Sequence, residues 1–313
     1  MPTWVIPPTD AGTRLDTWLA RQADVGSRAK ASAWIERGKV LVNGAPVGYP
    51  DAGRKLAEGD EVRLWMDRPG TAGTGPRGIG ASRHLLRLIH EDEAFVAADK
   101  PPGLLVEPLP DHSRGELTLI DLVADHLKHA VRIRPLVVHR IDRDTSGLVL
   151  FAKTRAAQDA LKGQFERRTP ERKYLAVVSG VVAPMRGTWR DQLVWDKERL
   201  IQQRAHPREA RAREAVAEYH VLDQFDAAAA LEVSLVTGKR NQIRVQAGLR
   251  GYPVLGEKLY RFGAPPDRGA LAFPRQALHA ARLGFTHPLT GRPVRLMAPT
   301  PEDLEELLRR LKR

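Results

Sequence analysis

The stretch HRIDRDTSGLVLFAKT, residues 139–154, decides how the rest of this sequence is interpreted. It follows the apolar run at residues 136–138, and residues 148–151 within it are again apolar. Polar and charged residues confined between two strand-like segments predict a loop that rigid flanks hold at a sheet edge. Because functional residues are disproportionately found on such loops, we expect the chemistry of the protein at residues 139–147.

Asp142 is the candidate reactive group of this loop because arginines surround it. Arg140 and Arg143 are its near neighbours in the sequence, and Arg244 is a candidate partner from elsewhere in the chain. Neighbouring cations keep a carboxylate ionised, as a carboxylate nucleophile requires. The spacing alone leaves a structural alternative open, in which Asp142 or Asp144 turns the backbone and pairs with an arginine.

Composition narrows the class of protein. The 313 residues include 50 Lys+Arg and 38 Asp+Glu, a net charge of +12, and this excess favours a polyanionic partner such as nucleic acid. The 42% hydrophobic content is globular, and no run approaches the ~20 apolar residues that cross a membrane. The absence of cysteine excludes disulfides and thiol catalysis. With no export signal visible, we expect a cytoplasmic protein without a membrane partner.

A glycine-rich linker divides the chain. Residues 67–83 contain five glycines and two prolines, with too little apolar surface to fold. We expect a small domain over residues 1–66 and a larger one over residues 84–313. The small domain has a net charge of only +1, so RNA binding there would depend on how its basic residues cluster. Nothing in the sequence forces association, and we expect a monomer.

The small domain is predicted to contain two helices and a small sheet. Helical spacing of apolar residues indicates helices over residues 13–22 and 28–37, the second capped by Ser27. Strands are expected at residues 40–42 and 61–65, and Asn43-Gly44 is a strong hairpin signal. The candidate RNA contacts are the basic residues Arg28, Lys30, Arg37 and Lys39.

The run SRAKASAWIERGKVLVNG, residues 27–44, and the later EGD at residues 58–60 resemble the RNA-binding domain named for ribosomal protein S-four. The resemblance implies that the small domain contacts RNA. The alternative is an ordinary helix–hairpin domain whose charges are simply solvated.

The larger domain is predicted to be α+β. Strand-like runs outnumber helical ones and often follow one another directly, which argues against a doubly wound parallel sheet. Strands are expected at residues 95–98, 148–152, 174–178, 215–222, 231–236 and 243–245, and helices at residues 117–129, 154–167 and 302–312.

The stretch at residues 139–154 resembles the signature HRLDxxTSGLLLxAK of the RluA-type pseudouridine synthases. Five more segments match that family in order: DKPPGLLV (99–106), RKYLAVVSG (172–180), LVTGKRNQIRVQ (235–246), GYPVLGEKLY (251–260) and ALHAARLGFTHPLTG (277–291). The similarity covers residues 88–303. It implies a mixed, mostly antiparallel sheet with flanking helices.

The resemblance also implies an isomerase that converts uridine in RNA to pseudouridine without a cofactor or metal. Asp142 would be the nucleophile or base that opens the glycosidic bond, and Arg244 would pair with it. Tyr174 would stack on the base and help remove the C5 proton. Arg140 would fill the space left by a base flipped from its stack.

Further residues are candidate substrate contacts by the same resemblance, namely His139, Thr145 and Gln242. We interpret His139 as a structural hydrogen-bonding residue of the loop rather than an acid or base. The spacing His126-x-x-His129 is not predicted to bind a metal, because it lies in a basic helical stretch with no acidic or thiol partner nearby.

The chain departs from the family pattern where Thr-His is usual, with Arg240-Asn241, and it has Gln246 and Glu107 in place of His. These departures put the target site in doubt.

Family members with an S-four-like domain commonly act on large-subunit ribosomal RNA, which is the expected partner; transfer RNA is the alternative. The rival from another class is a non-catalytic RNA-binding or ribosome-assembly protein. A hydrolase that uses Asp142 and Asp144 is disfavoured. A general acid needs a carboxyl whose pKa is raised by burial, whereas these carboxyls are flanked by arginines.

Overall fold

The computed structural model describes residues 2–22, 25–36, 39–47, 53–65, 85–108, 116–130, 134–196, 199 and 201–312. These residues form two compact units, one comprising those within 2–65 with Pro108 and Glu116, and one comprising those within 85–107 and 117–312. The predicted linker at residues 67–83 lies outside the described residues, so the domain boundaries stay predictions.

The N-terminal unit packs two short helices against a four-stranded antiparallel sheet. Its elements are β1 (Thr3–Val5), α1 (Leu15–Ala20), α2 (Arg28–Glu36), β2 (Val40–Val42), β3 (Ala45–Pro46) and β4 (Glu61–Leu64), with strand order β1-β4-β2-β3. The Oγ of Ser27 accepts a hydrogen bond from the N–H of Lys30 at 3.3 Å, which confirms the predicted cap. Asn43 and Gly44 have φ of 52° and 76°, so the predicted hairpin is also confirmed.

The larger unit consists of one extended sheet with helices against it. The strands are β5 (Arg87–Glu91), β6 (Phe95–Lys100), β7 (Leu136–Val137), β8 (Ser146–Ala152), β9 (Glu171–Ser179), β10 (Arg186–Asp196), β11 (Ile201–Arg204), β12 (Arg213–Gln224), β13 (Ala228–Leu235), β14 (Leu278–Thr286) and β15 (Pro293–Met297). The helices are α3 (Leu119–Ala130), α4 (Arg155–Glu166), α5 (Gln242–Leu249) and α6 (Glu302–Leu311).

The sheet is mixed and mostly antiparallel, as predicted. Its order is β11-β10-β12-β13-β9-β14-β8-β6-β5, with β15 paired to β14 and β7 to β8. Among the described strands only β14 and β8 run parallel to each other. Tyr174 on β9 is paired with Ala280 on β14, which is paired with Gly147 on β8. The predicted reactive loop precedes β8 and the predicted active-site tyrosine lies on β9. A single strand, β14, therefore separates the two strands.

One predicted strand is wrong. Residues 243–245 belong to α5, in which residues 242–248 are all buried. A short apolar run does not distinguish a buried strand from a buried helix, because neither shows a polar face. The other predicted strands and helices of this unit are confirmed, with ends that differ by a few residues.

Gly147 permits the close approach of β8 to β14. Its φ is +111°, and a Cβ built there would lie 2.3 Å from the carbonyl oxygen of Ala280. A side chain would therefore both strain the backbone and separate the two parallel strands.

We expect Gly147→Ala to lower the free energy of unfolding by about 2 to 5 kcal/mol, because left-handed strain and overpacking both contribute. The matched control is Gly251→Ala, since Gly251 has φ +79° but no atom within 4 Å of its Cβ position. Strain alone predicts a loss of about 1 to 2 kcal/mol there. Urea unfolding of both variants measures the difference, and equal losses would contradict the close approach.

Candidate active site

A buried lysine fixes the loop that carries Asp142. Lys100, at the end of β6, is fully buried, and its Nζ donates to the carbonyl oxygens of Pro101, Leu104 and Arg143 at 2.8, 2.8 and 2.7 Å. Burial lowers the pKa of Lys100 to about 7, against the opposing charges of Asp144 and Asp142. The lysine joins the turn after β6 to the reactive loop. Its place in the DKPP motif was the available signal, and sequence reasoning assigned it no role.

Asp142 accepts two hydrogen bonds on the same oxygen. Its Oδ2 accepts from Nη1 of Arg244 at 3.1 Å and from Nδ2 of Asn241 at 2.7 Å. The side chain is 28% exposed, so the carboxylate is half-buried but reachable. The structure thus brings Arg244 to Asp142, as the sequence predicted. Asn241 was noted only as a departure from the family pattern, and its contact with Asp142 was missed.

Arg244 is buried and compensated by a second carboxylate that the sequence did not reveal. Its Nε and Nη2 donate to the two oxygens of Glu257 at 2.6 and 2.8 Å, a bidentate pair in which Glu257 is 3% exposed. Burial opposes both charges. Hydrogen bonds and attraction to Glu257 and Asp142 nevertheless raise the pKa of Arg244. The pKa of Glu257 is lowered by its hydrogen bonds from Arg244 and from the N–H groups of Leu259 and Tyr260. Arg244 therefore stays charged beside Asp142.

Tyr174 lies on β9 and packs in the hydrophobic cluster that contains Ile141 and Ala280. Burial raises the pKa of Tyr174 to about 12; the charge of Arg172 opposes this rise and that of Asp142 adds to it. The side chain is therefore a neutral phenol at physiological pH. The protonated hydroxyl is a weak base.

Arg140 differs from Arg244 in being exposed. Its side chain is 48% exposed, and its nearest acidic contact is Glu107, with Nη1 to Oε1 at 3.5 Å. An exposed surface pair of this length contributes little to stability. The guanidinium therefore remains available to another partner.

His139 has a structural role, as its interpretation from the sequence suggested. Its ring stacks on Phe165 with centroids 4.7 Å apart, and its Nε2 accepts from the N–H of Leu150 at 3.2 Å. Burial, with a smaller contribution from the charge of Arg172, lowers the pKa of His139 to about 3. Because the ring is neutral and its Nε2 is engaged, the structure gives no support to His139 as a substrate contact.

Gln242 and Thr145 are both buried, which argues against their predicted role as substrate contacts. The Gln242 amide accepts from the Oγ1 of Thr237 and the N–H of Lys239, and donates to the carbonyl oxygen of Val216 and to Oε1 of Gln246. Its hydrogen-bonding capacity is used inside the protein. Thr145 is 1% exposed, and its Oγ1 has no hydrogen-bond partner among the described residues.

The predicted RNA contacts of the N-terminal unit differ in exposure. Arg28 is 63% exposed and pairs with Asp16 at 3.2 Å, and the exposed Lys30 lies over the ring of Trp34 at 5.8 Å. Lys39 is only 8% exposed, which argues against its predicted role as a surface contact for RNA. Arg37 lies outside the described residues.

The expectation that His126 has no acidic neighbour is wrong. Its Nε2 bonds to Oε2 of Glu91, on β5, at 2.7 Å, and the other oxygen of Glu91 bonds to Lys153 at 2.7 Å. The partner comes from a strand distant in sequence. Within the described ranges, no three His, Cys, Asp or Glu residues are grouped closely enough to hold a metal ion.

The neutral, half-buried His139 predicts a pH-dependent stability. The unfolded chain protonates this residue as the pH falls through about 6.5, whereas the folded protein does so only near pH 3. The unfolded state therefore binds more protons between these values, and stability is lost as the pH falls through the window, by up to about 1.4 kcal/mol per pH unit. Urea unfolding from pH 7 to pH 4 should show a steeper loss for wild type than for His139→Gln. Parallel curves would mean that the folded protein protonates His139 freely.

Two family models match parts of this chain. A model described as RNA pseudouridylate synthase matches residues 94–248, and one described as the S4 domain matches residues 13–62. The first match contains Asp142, Tyr174 and Arg244.

Individual proteins match over nearly the whole chain. The uncharacterized RNA pseudouridine synthase YlyB of Bacillus subtilis is 35% identical, over 96% of this chain and 94% of that protein. The ribosomal large subunit pseudouridine synthase D of Xanthomonas campestris is also 35% identical, over 98% and 92%. Among solved structures, human RNA pseudouridylate synthase domain containing 4 shares the fold, with a TM-score of 0.63 and 23% identity over 75% of this chain and 97% of that one. The chain therefore belongs to the RNA pseudouridine synthase family, carries an S4 domain before its synthase domain, and is an isomerase.

Proposed function

We propose that this protein converts uridine to pseudouridine in large-subunit ribosomal RNA, with Asp142 as the reacting carboxylate. The observation that carries the proposal is the half-buried Asp142 held at Oδ2 by the buried Arg244. The choice of RNA is supported by three relatives, 33–35% identical, that are named ribosomal large subunit pseudouridine synthase D. The expected cytoplasmic location and monomeric state belong to the same proposal. No helix among the described residues is long and apolar enough to span a membrane.

We propose that one oxygen of Asp142 reacts with the substrate. Both hydrogen bonds from the described residues reach Oδ2, so Oδ1 is the atom left for an incoming nucleotide. Arg244 stays charged and holds the carboxylate through Oδ2. The reaction breaks the bond between C1′ and N1, rotates the uracil and joins C1′ to C5. C5 then loses its proton and N1 gains one, so that the product is an isomer of uridine. Attack at C1′, attack at uracil C6 and removal of the 2′ proton are three first steps that the same oxygen could perform.

Arg140 is suited to the flipping step. A uridine in a stacked RNA must leave its stack to reach a half-buried carboxylate, at a cost of about a few kcal/mol. Arg140 precedes Asp142 by two positions and is 48% exposed. We propose that its planar guanidinium enters the vacated space and stacks on the neighbouring bases.

The N-terminal unit would add affinity. Its match to the S4 domain, together with the exposed Arg28 and Lys30, supports an RNA contact by this unit in addition to the one at Asp142. Basic side chains that contact phosphates release counterions, so this contribution would weaken as salt rises.

Asp142→Asn tests the proposed function directly. We expect the rate of pseudouridine formation to fall by at least about 10³-fold, because the amide lacks the anionic oxygen. Wild type and variant are expressed in cells lacking the native gene, and pseudouridines are mapped across ribosomal and transfer RNA. The matched control is Asp144→Asn, which removes the other carboxylate of the loop and should retain the modified site.

The map separates the alternatives. If the variant lacks a defined pseudouridine in large-subunit ribosomal RNA, the proposal is supported. If it lacks pseudouridine only in transfer RNA, the substrate is transfer RNA instead. Identical maps for wild type and Asp142→Asn would favour a non-catalytic RNA-binding protein.

Tyr174→Phe separates two roles of that residue. The ring can still stack on uracil, but the phenol can no longer relay the C5 proton. We expect RNA affinity to be retained and the release of tritium from uracil C5 to slow by about 10²-fold or more, the usual effect of losing an acid–base group. A wild-type rate of tritium release would restrict Tyr174 to stacking.

A further inference from the structure

Asn241 stands between the proposed nucleophile and a buried tyrosine. Its Nδ2 donates to Oδ2 of Asp142 at 2.7 Å, the shorter of the two bonds that this oxygen accepts. Its Oδ1 accepts from the hydroxyl of Tyr260 at 3.1 Å. The Asn241 side chain is therefore held at both ends.

The orientation of the Asn241 amide follows from its partners. Tyr260 is 1% exposed, and its hydroxyl oxygen accepts the N–H of Gln202 at 3.0 Å. The hydroxyl proton is therefore directed to Asn241, which must present its oxygen there. At the other end the ionised Asp142 only accepts, so the amide must present its NH₂ group. A reversed amide would place oxygen against oxygen at one end and hydrogen against hydrogen at the other.

The fold holds this chain of bonds in place. Gln202 lies on β11, the edge strand of the large sheet, so its N–H is available to a partner outside the sheet. Asn241 immediately precedes α5, with φ of 52°, a left-handed conformation that asparagine tolerates better than most residues. Arg244 lies in the first turn of the same helix. One helix start thus supplies both donors to Asp142.

We propose that Asn241 is a positioning residue that fixes the rotation of the Asp142 carboxylate and leaves Oδ1 directed at the nucleotide. Arg244 alone contributes one hydrogen bond to the carboxylate, which leaves it free to rotate about its Cβ–Cγ bond. The second bond, from a neutral amide, removes that freedom without adding charge. This role rests on the proposed function, because only there is Asp142 the reacting group. It is carried by a residue at which the chain departs from the pattern of the family it resembles.

The groups that face Asn241 make the proposal testable by pH. In the described structure they are Asp142 and Arg244 on one side and the phenol of Tyr260 on the other, with Glu257 bonded to the far side of Arg244. A carboxyl introduced at position 241 would face the carboxylate of Asp142 directly. Two carboxylates in contact cannot both be ionised without repulsion, whereas a protonated one could donate as the amide does.

The experiment compares Asn241→Gly and Asn241→Asp with wild type. Glycine adopts the left-handed conformation without strain, so Asn241→Gly removes only the amide. The readout is the single-turnover release of tritium from uracil C5 in transcribed large-subunit ribosomal RNA, from pH 5.5 to pH 8.5, together with RNA affinity. Arg168→Gly is the matched control, since Arg168 is an exposed residue with φ of 62° that does not contact Asp142.

We expect Asn241→Gly to lower the rate by about 10- to 100-fold, the cost of a misplaced reacting group, with RNA affinity unchanged. Asn241→Asp should be most impaired at high pH and should recover by about tenfold relative to wild type as the pH falls and the introduced carboxyl gains a proton. Arg168→Gly should keep the wild-type rate. A wild-type rate for Asn241→Gly, or a pH profile of Asn241→Asp parallel to wild type, would overturn the proposal.

Crystal structures of wild type and Asn241→Gly separate this role from the proposed function. If wild type modifies none of the RNAs, but the Asp142 carboxylate rotates in Asn241→Gly, the proposed function fails and the positioning role stands. If the carboxylate keeps its orientation in Asn241→Gly, the positioning role fails whatever the activity.

Discussion

The buried charge of Arg244 is the constraint on which the candidate site depends. A buried guanidinium that lost its partner would cost several kcal/mol, so the fold must supply a carboxylate as well as the arginine. Glu257 fulfils this need through two hydrogen bonds, and the remaining nitrogen of Arg244 reaches Asp142. The arginine therefore joins α5 and the segment that follows it to the loop before β8, which is distant in sequence. Their relative positions are fixed by one ion-pair network.

The sheet sets the distance between the two groups that the proposed reaction needs. Asp142 precedes β8 and Tyr174 lies on β9, with β14 between these two strands. Gly147 lets β8 approach β14 closely, and Lys100 ties the carbonyl oxygen of Arg143 to the turn after β6. The base of the loop is therefore held in place, and it carries both the half-buried carboxylate of Asp142 and the exposed Arg140.

Sequence reasoning succeeded where the signal is local or carried by a motif, and failed where the partner is distant. The period of the apolar residues predicted most strands and helices, and the resemblance predicted the pairing of Arg244 with Asp142 that the structure shows. The short buried run at residues 243–245 had no polar face and was taken for a strand. Glu257 and the contact of Asn241 were missed because no spacing links them to Asp142. Gln242 was assigned to substrate because motif membership does not show which way a side chain points.

The charges of the site also explain why its third component is an amide. Glu257 neutralises Arg244, so the negative charge of Asp142 is only partly countered and remains available to an electrophilic carbon or a proton. In the proposed reaction, a cation at position 241 would give the carboxylate a second full partner and make it less reactive, whereas an anion would repel it. A neutral donor orients Asp142 and leaves its charge unchanged. The left-handed start of α5 favours asparagine over other neutral donors, since its short side chain tolerates φ of 52° and still spans from Tyr260 to Asp142.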